Sequence, residues 1–133
     1  MSTRSKQVLP AKSPRSVPPI ELLTENGFRI VRAWEIGLVP PPIGHRYSFL
    51  IYHDERFKEP REIVVEIGDA ALCDAAIHTC GRIDASHTFW ICCAERHLAN
   101  YTWENDECPP EGVLRIDQLS AEDFDQAMRW VRK

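Results

Sequence analysis

The sequence predicts an α+β domain: a two-layer fold with a mainly antiparallel sheet and helices packed on one face. The sheet is read as a three-strand meander plus one or two further strands. Three observations lead there. Residues 61–67 alternate, with Ile63, Val65 and Ile67 opposed to Glu62, Val64 and Glu66, the period of a half-buried strand. A second alternating run, 46–53, is joined to it by the charged turn DERFKEP, which suits an antiparallel hairpin. Residues 70–80 are mostly short or unbranched and hold neither Pro nor Gly, a helical composition.

The remaining elements follow in chain order. Residues 1–19 are rich in Ser, Pro, Lys and Arg and offer nothing to a core, so they read as a disordered leader before a single domain at 20–133. Residues 20–26 lie between Pro19 and Gly27, which predicts a helix of about two turns. Residues 28–36 form the first predicted strand, with Phe28, Ile30, Trp34 and Ile36 on one face. Arg32 falls on that apolar face, which the pattern explains only if this end of the strand is open to solvent. The connection GLVPPPIGH is a stiff loop, because Pro40, Pro41 and Pro42 donate no ladder bonds.

Asp69 is the expected N-cap of the helix over 70–80 and Gly81 its stop, with Leu72, Cys73, Ala76, Ile77 and Cys80 as the buried stripe. Residues 87–93 are apolar on both sides and read as a central strand. Residues 94–103 read as helix ahead of the alternative, a continuation of the preceding strand, and 113–116 read as a short strand. The last helix is capped by Ser120 with Asp123 in an approximate capping box, and buries Phe124, Ala127, Met128 and Val131. One sheet face is then apolar. The other carries Arg29, Glu35, Arg46, Tyr52, Glu62 and Glu66 and reads as wet.

Charge is unevenly placed. The net charge is −4. Arg4, Lys6, Lys12 and Arg15 give the leader +4, while the other 12 basic residues and all 20 acids leave the body at −8. No stretch approaches the ~20 apolar residues that span a bilayer, and no apolar signal segment opens the chain. The expectation is a cytoplasmic protein with reduced thiols. Glycine-loop nucleotide binding, GxSxG hydrolases and HExxH metalloproteases are excluded for want of their motifs.

Four residue sets carry candidate chemistry. The first is Cys73, His78, Cys80, His87, Cys92, Cys93, His97 and Cys108, which contains neither CxxC nor HxxxH. These thiols are expected to fill space in the core, with no metal and no cofactor bound. The second is Cys93 with His97, which would meet if a helix began near Ala94. A nucleophile needs a partly exposed thiolate, and Cys93 shares a strand face with Phe89 and Ile91, so core is expected. The third is Asp54, Glu62 and Glu66, with Lys58 from the turn, as a Mg²⁺ site across the hairpin. The order helix, three strands, helix, strand resembles that of the restriction-endonuclease-like core, whose metal sites sit at such strands. The acid, any residue, lysine pattern of that family is missing here, since Val64 follows Glu62 and Gly68 follows Glu66. The fourth is an aromatic set, Tyr101, Trp103 and Trp130, near an acidic run, as a surface for a partner.

The expected function is therefore a small binding domain, without catalysis, that recognises another macromolecule. A protein partner is expected ahead of nucleic acid bound through the basic leader. In element order the chain resembles secretion chaperones and immunity proteins. The alternative is a metal-dependent nuclease or hydrolase working through Asp54, Glu62, Glu66 and Lys58.

Overall fold

The computed structural model describes residues 21–132, so the predicted leader and Ile20 lie outside the described residues. Five strands form one sheet in the order β1 (Glu21–Leu23), β2 (Arg29–Arg32), β3 (Arg46–Tyr52), β4 (Arg61–Ile67) and β5 (Val113–Ile116). The first four make an antiparallel meander, while β5 runs parallel to β4. The class is α+β, and the sheet is mixed where a mainly antiparallel one is predicted. The parallel pairing follows from what lies between β4 and β5. Two helices, α1 (Asp69–His78) and α2 (Phe89–Asn105), bring the chain back to start β5 alongside β4, the long crossover that a parallel pair requires. Helix α3 (Ala121–Val131) completes the domain.

Four elements depart from the sequence reading. The helix expected over 20–26 is strand β1 and a turn. Phe28 N–H donates to Thr24 Oγ1 at 3.0 Å, and Gly27 takes φ 97°, which closes the hairpin. An isolated two-turn helix is a poor competitor for a paired strand. The strand expected over 28–36 keeps only Arg29–Arg32, and Ala33–Ile36 coils into a 3-10 turn.

The strand expected over 87–93 does not form. Phe89 instead opens the seventeen-residue helix α2, which takes in the helix expected over 94–103. Its first turns bury Phe89, Trp90, Cys93 and Ala94 on several sides, and a helix buried all round has the same short apolar signature as a central strand.

Helix α1 is present but turned. It buries Ala71 and Ala75, followed by Thr79 at its end, while Cys73, Ile77 and Cys80 face solvent. With alanine at 70, 71, 75 and 76, packing room rather than hydrophobicity sets which side faces inward. The thiols are accordingly not uniformly core: Cys93 is buried, Cys92 and Cys108 are half-buried, and Cys73 and Cys80 are exposed. The N-cap is Gly68, not Asp69. A Cβ on Gly68 would stand 2.5 Å from Oδ1 of the exposed Asp117 side chain, which would have to shift, and the Gly68 N–H bonds Ile116 O at 2.8 Å where β4 and β5 end together.

The core joins Ile30, Phe49, Ile51, Ile63 and Val65 of the sheet to Phe89, Trp90, Cys93, Ala94 and Leu98 of α2. The charged sheet face is drier than predicted, since Val31 and Leu50 on it are buried. Its cross-strand pairing is as expected: Arg46 Nε meets Glu66 at 3.2 Å, and the Arg29 guanidinium lies 4.8 Å from the Tyr52 ring centre. Arg32 is not open to solvent. Its Nε and Nη2 bond the two oxygens of the buried Glu95 on α2, both at 3.1 Å. Burial by itself lowers the Arg32 guanidinium, and the bonded Glu95 carboxylate more than offsets this and raises it. An apparent flaw in the strand pattern is thus one half of a sheet-to-helix ion pair.

Candidate site at the junction of α2 and α3

The junction begins with local capping. Ser120 starts α3 with a full capping box: its hydroxyl accepts from Asp123 N–H at 3.1 Å, and Asp123 Oδ2 accepts from Ser120 N–H at 2.8 Å. This aims the Asp123 carboxylate back at α2. On α2, Cys93, Arg96 and His97 stand at i, i+3 and i+4, so all three share one side of the helix.

The four side chains meet. His97 Nε2 lies 2.7 Å from Asp123 Oδ2, and Arg96 Nη2 donates to Oδ1. The Cys93 Sγ–H lies 3.7 Å from Oδ1. The Asp123 side chain is fully buried, whereas Arg96 and His97 remain 20% and 25% exposed. They open onto a groove of about 460 Å³ between α2, β5 and the start of α3. One ligand atom from each of Cys93, His97 and Asp123 lies within 4.8 Å of the others, the single such grouping of His, Cys and acid among the described residues.

Electrostatics at the junction is lopsided. Burial raises the Asp123 carboxyl, but hydrogen bonds from His97, Ser120 N–H and Arg96 outweigh it and hold the acid well below the usual carboxylate range. The Cys93 thiol moves the other way. Burial pushes it up to about 12, with the Asp123 charge adding to the shift and Arg96 opposing it. A catalytic thiol needs a lowered pKa and a base directed at its sulfur. Here thiol and imidazole both address one carboxylate, and the thiol stays protonated at neutral pH.

The remaining predicted site residues are scattered. Asp54 is exposed and pairs with Arg29 at 3.5 Å, while Glu66 pairs with Arg46 and Arg115. Glu62 and Glu66 share a strand face, but four residues of extended chain separate them by about 13 Å. Glu62 lines a different groove, with Arg61 and Cys108, and Lys58 is exposed in the turn. Of the cysteines and histidines, Cys93 and His97 come together. His78 packs on Phe124 at 4.5 Å between ring centres, and His87 on Trp130 at 5.4 Å. Trp103 is exposed and Tyr101 half-buried. Because Trp130 contacts His87, just before Phe89, while Trp103 lies about 21 Å further along α2, the aromatic set spans both ends of that helix.

No family model matches the chain, and neither does any curated protein or solved structure.

The sequence reading missed Arg96 and Asp123 as site residues. The signal for Asp123 was present, but only as a cap. Its tertiary partners become visible once residues 89–97 are placed on a helix.

Proposed function

We propose that this chain is a non-catalytic domain that recognises another protein, using the connection between β2 and β3 as its contact surface. The observation that carries this reading is the apolar tip of that connection. Ile43 is 85% exposed and Leu38 63% exposed, on either side of Pro40, Pro41 and Pro42. Trp34, in the 3-10 turn that leads into the loop, packs on the sheet, its ring centre 5.7 Å from that of Phe49 and 6.3 Å from that of Tyr47. Grooves flank the ridge on both sides, one lined by Trp34, Val39 and Arg46, the other by His45, Tyr47 and Ile91.

Large apolar side chains held in water are what a binding surface offers a partner. Burying each one fully is worth about 1.5–3 kcal/mol. Three consecutive prolines restrict the loop before contact, so little ordering entropy is lost on binding. The domain is read here as two layers, with the helices on one face of the sheet and this loop at its rim. The hydrolytic alternative has less support, since its carboxylates are engaged with arginines or lie apart.

The test is affinity capture from cell extract with the full chain, beside the variant Leu38→Ser/Ile43→Ser. A protein bound by the native chain and lost with the variant is expected. A protein held equally by both would remove the loop from the reading.

A further inference from the structure

The geometry points to a binding site for one zinc-class divalent ion at the α2–α3 junction, with Cys93, His97 and Asp123 as its protein ligands. This goes beyond the proposed function and does not depend on it.

The donor set selects the metal. One sulfur, one imidazole nitrogen and one carboxylate oxygen suit zinc or cobalt, whereas magnesium and calcium want oxygen throughout. The spacing fits as well. In a tetrahedral zinc site with bonds of about 2.0–2.3 Å, ligand atoms stand about 3.5 Å apart. The three atoms here already lie within 4.8 Å of one another, with Cys93 Sγ 3.7 Å from Asp123 Oδ1. Closing on an ion takes side-chain adjustments of about an ångström, on two helices whose positions are fixed by packing and by the Ser120 cap.

Charge is conserved through the exchange. The junction now holds a carboxylate against the Arg96 guanidinium, a neutral pair. An ion of charge +2 with a thiolate, a carboxylate and a neutral imidazole is neutral too, so it adds no net buried charge once Arg96 has left. Arg96 can leave, because it lines the groove and is part-exposed. It acts as a placeholder cation. The Cys93 proton is released to solvent as the sulfur binds, and the His97 Nε2 proton that faces Asp123 gives way to the Nδ1–H tautomer, so that the Nε2 lone pair meets the ion. Ser120 N–H keeps its bond to Asp123 and orients the carboxylate from behind. Three protein ligands leave a fourth position, which water fills from the groove.

Cobalt is the probe, because a thiolate on cobalt gives an ultraviolet charge-transfer band and tetrahedral cobalt gives visible bands. The full chain, metal-free and reduced, is titrated with Co²⁺ and then competed with Zn²⁺. One ion per chain is expected, with both signatures. Cys93→Ala should lose the ultraviolet band, although four other thiols remain. Arg96→Ala should bind roughly tenfold more tightly, because the competing cation is gone. A thiolate band that persists in Cys93→Ala, or no band in the native chain, overturns the site. Should Cys93→Ala fail to fold, Arg96→Ala decides: affinity equal to or weaker than native overturns it. Capture of a protein partner through Leu38 and Ile43 is unaffected by either result.

Discussion

The α2–α3 junction and the β2–β3 loop solve opposite problems. At the junction a buried carboxylate is met by the Cys93 thiol, Arg96, His97 and the Ser120 N–H. On the loop, the apolar side chains of Leu38 and Ile43 are exposed among the described residues. A buried charge is tolerable only when its hydrogen-bonding capacity is filled, so the junction is bound tightly into the stability of the fold. An exposed apolar tip adds little to stability and keeps its free energy for a contact. The two regions therefore separate what holds the domain together from what the proposed function has it offer a partner.

The sharpest way to break this contrast is Asp123→Ala. It strips the acceptor from Arg96, His97 and Ser120 N–H at once and removes half of the capping box. A loss of about 3–4 kcal/mol is expected in urea unfolding, larger than for any single surface change. The same variant has a signature in acid. The folded carboxyl lies below its unfolded value, so the unfolded chain takes up the proton first. Its contribution is complete above about pH 4 and is lost as pH falls through that value toward the folded one. Asp123→Ala should therefore flatten the acid limb of the stability curve. An unchanged limb would mean that the carboxyl is not held in its charged form by the fold.

A smaller effect is expected on the sheet side of the same helix. Glu95 has one principal partner, Arg32, where Asp123 has four donors. Glu95→Ala leaves a guanidinium that is 13% exposed but still 3.4 Å from Glu35. The expected loss is about 2 kcal/mol, since one charged partner remains to the arginine. The double change Arg32→Met/Glu95→Leu should recover most of it, because an apolar pair of similar volume needs no desolvated charges. If the double variant is as weak as the single one, Glu95 acts through packing rather than through its pairing with Arg32.

These residues also show how much was legible beforehand. Strand β4 was readable in full, because Glu62 and Glu66 alternate with Ile63, Val65 and Ile67 between a charged turn and a glycine. The Ser120–Asp123 cap was readable because both partners lie within one turn. Arg32 was visible as an anomaly, but its partner Glu95 is 63 residues away, and no local pattern names it. The junction is only half legible in the sequence. Cys93 and His97 pair if a helix begins near Ala94, but a strand over 87–93 keeps Cys93 with Phe89 and Ile91 and out of line with Arg96. On a helix the same residues line up at once. Helix α1 is legible as a helix but its buried face is not, for a different reason: its alanines make either side packable, so the neighbours that fix its rotation lie outside the segment. Local order was written locally, while the site depends on which period an apolar run adopts.

The smallest expected effect lies on the loop, and its smallness is the informative part. Leu38→Ser/Ile43→Ser removes two side chains that already face water, and the three prolines between them restrict the backbone of the ridge whatever stands at 38 and 43. Thermal and urea unfolding should move by no more than about 0.5 kcal/mol per site, the range of ordinary surface substitutions. A change that silences capture while leaving stability at this level assigns the apolar tip to contact alone. A loss well above it would instead mean that Leu38 and Ile43 pack into the domain. The contrast between a junction that stabilises and a loop proposed to bind would then fail at its second member.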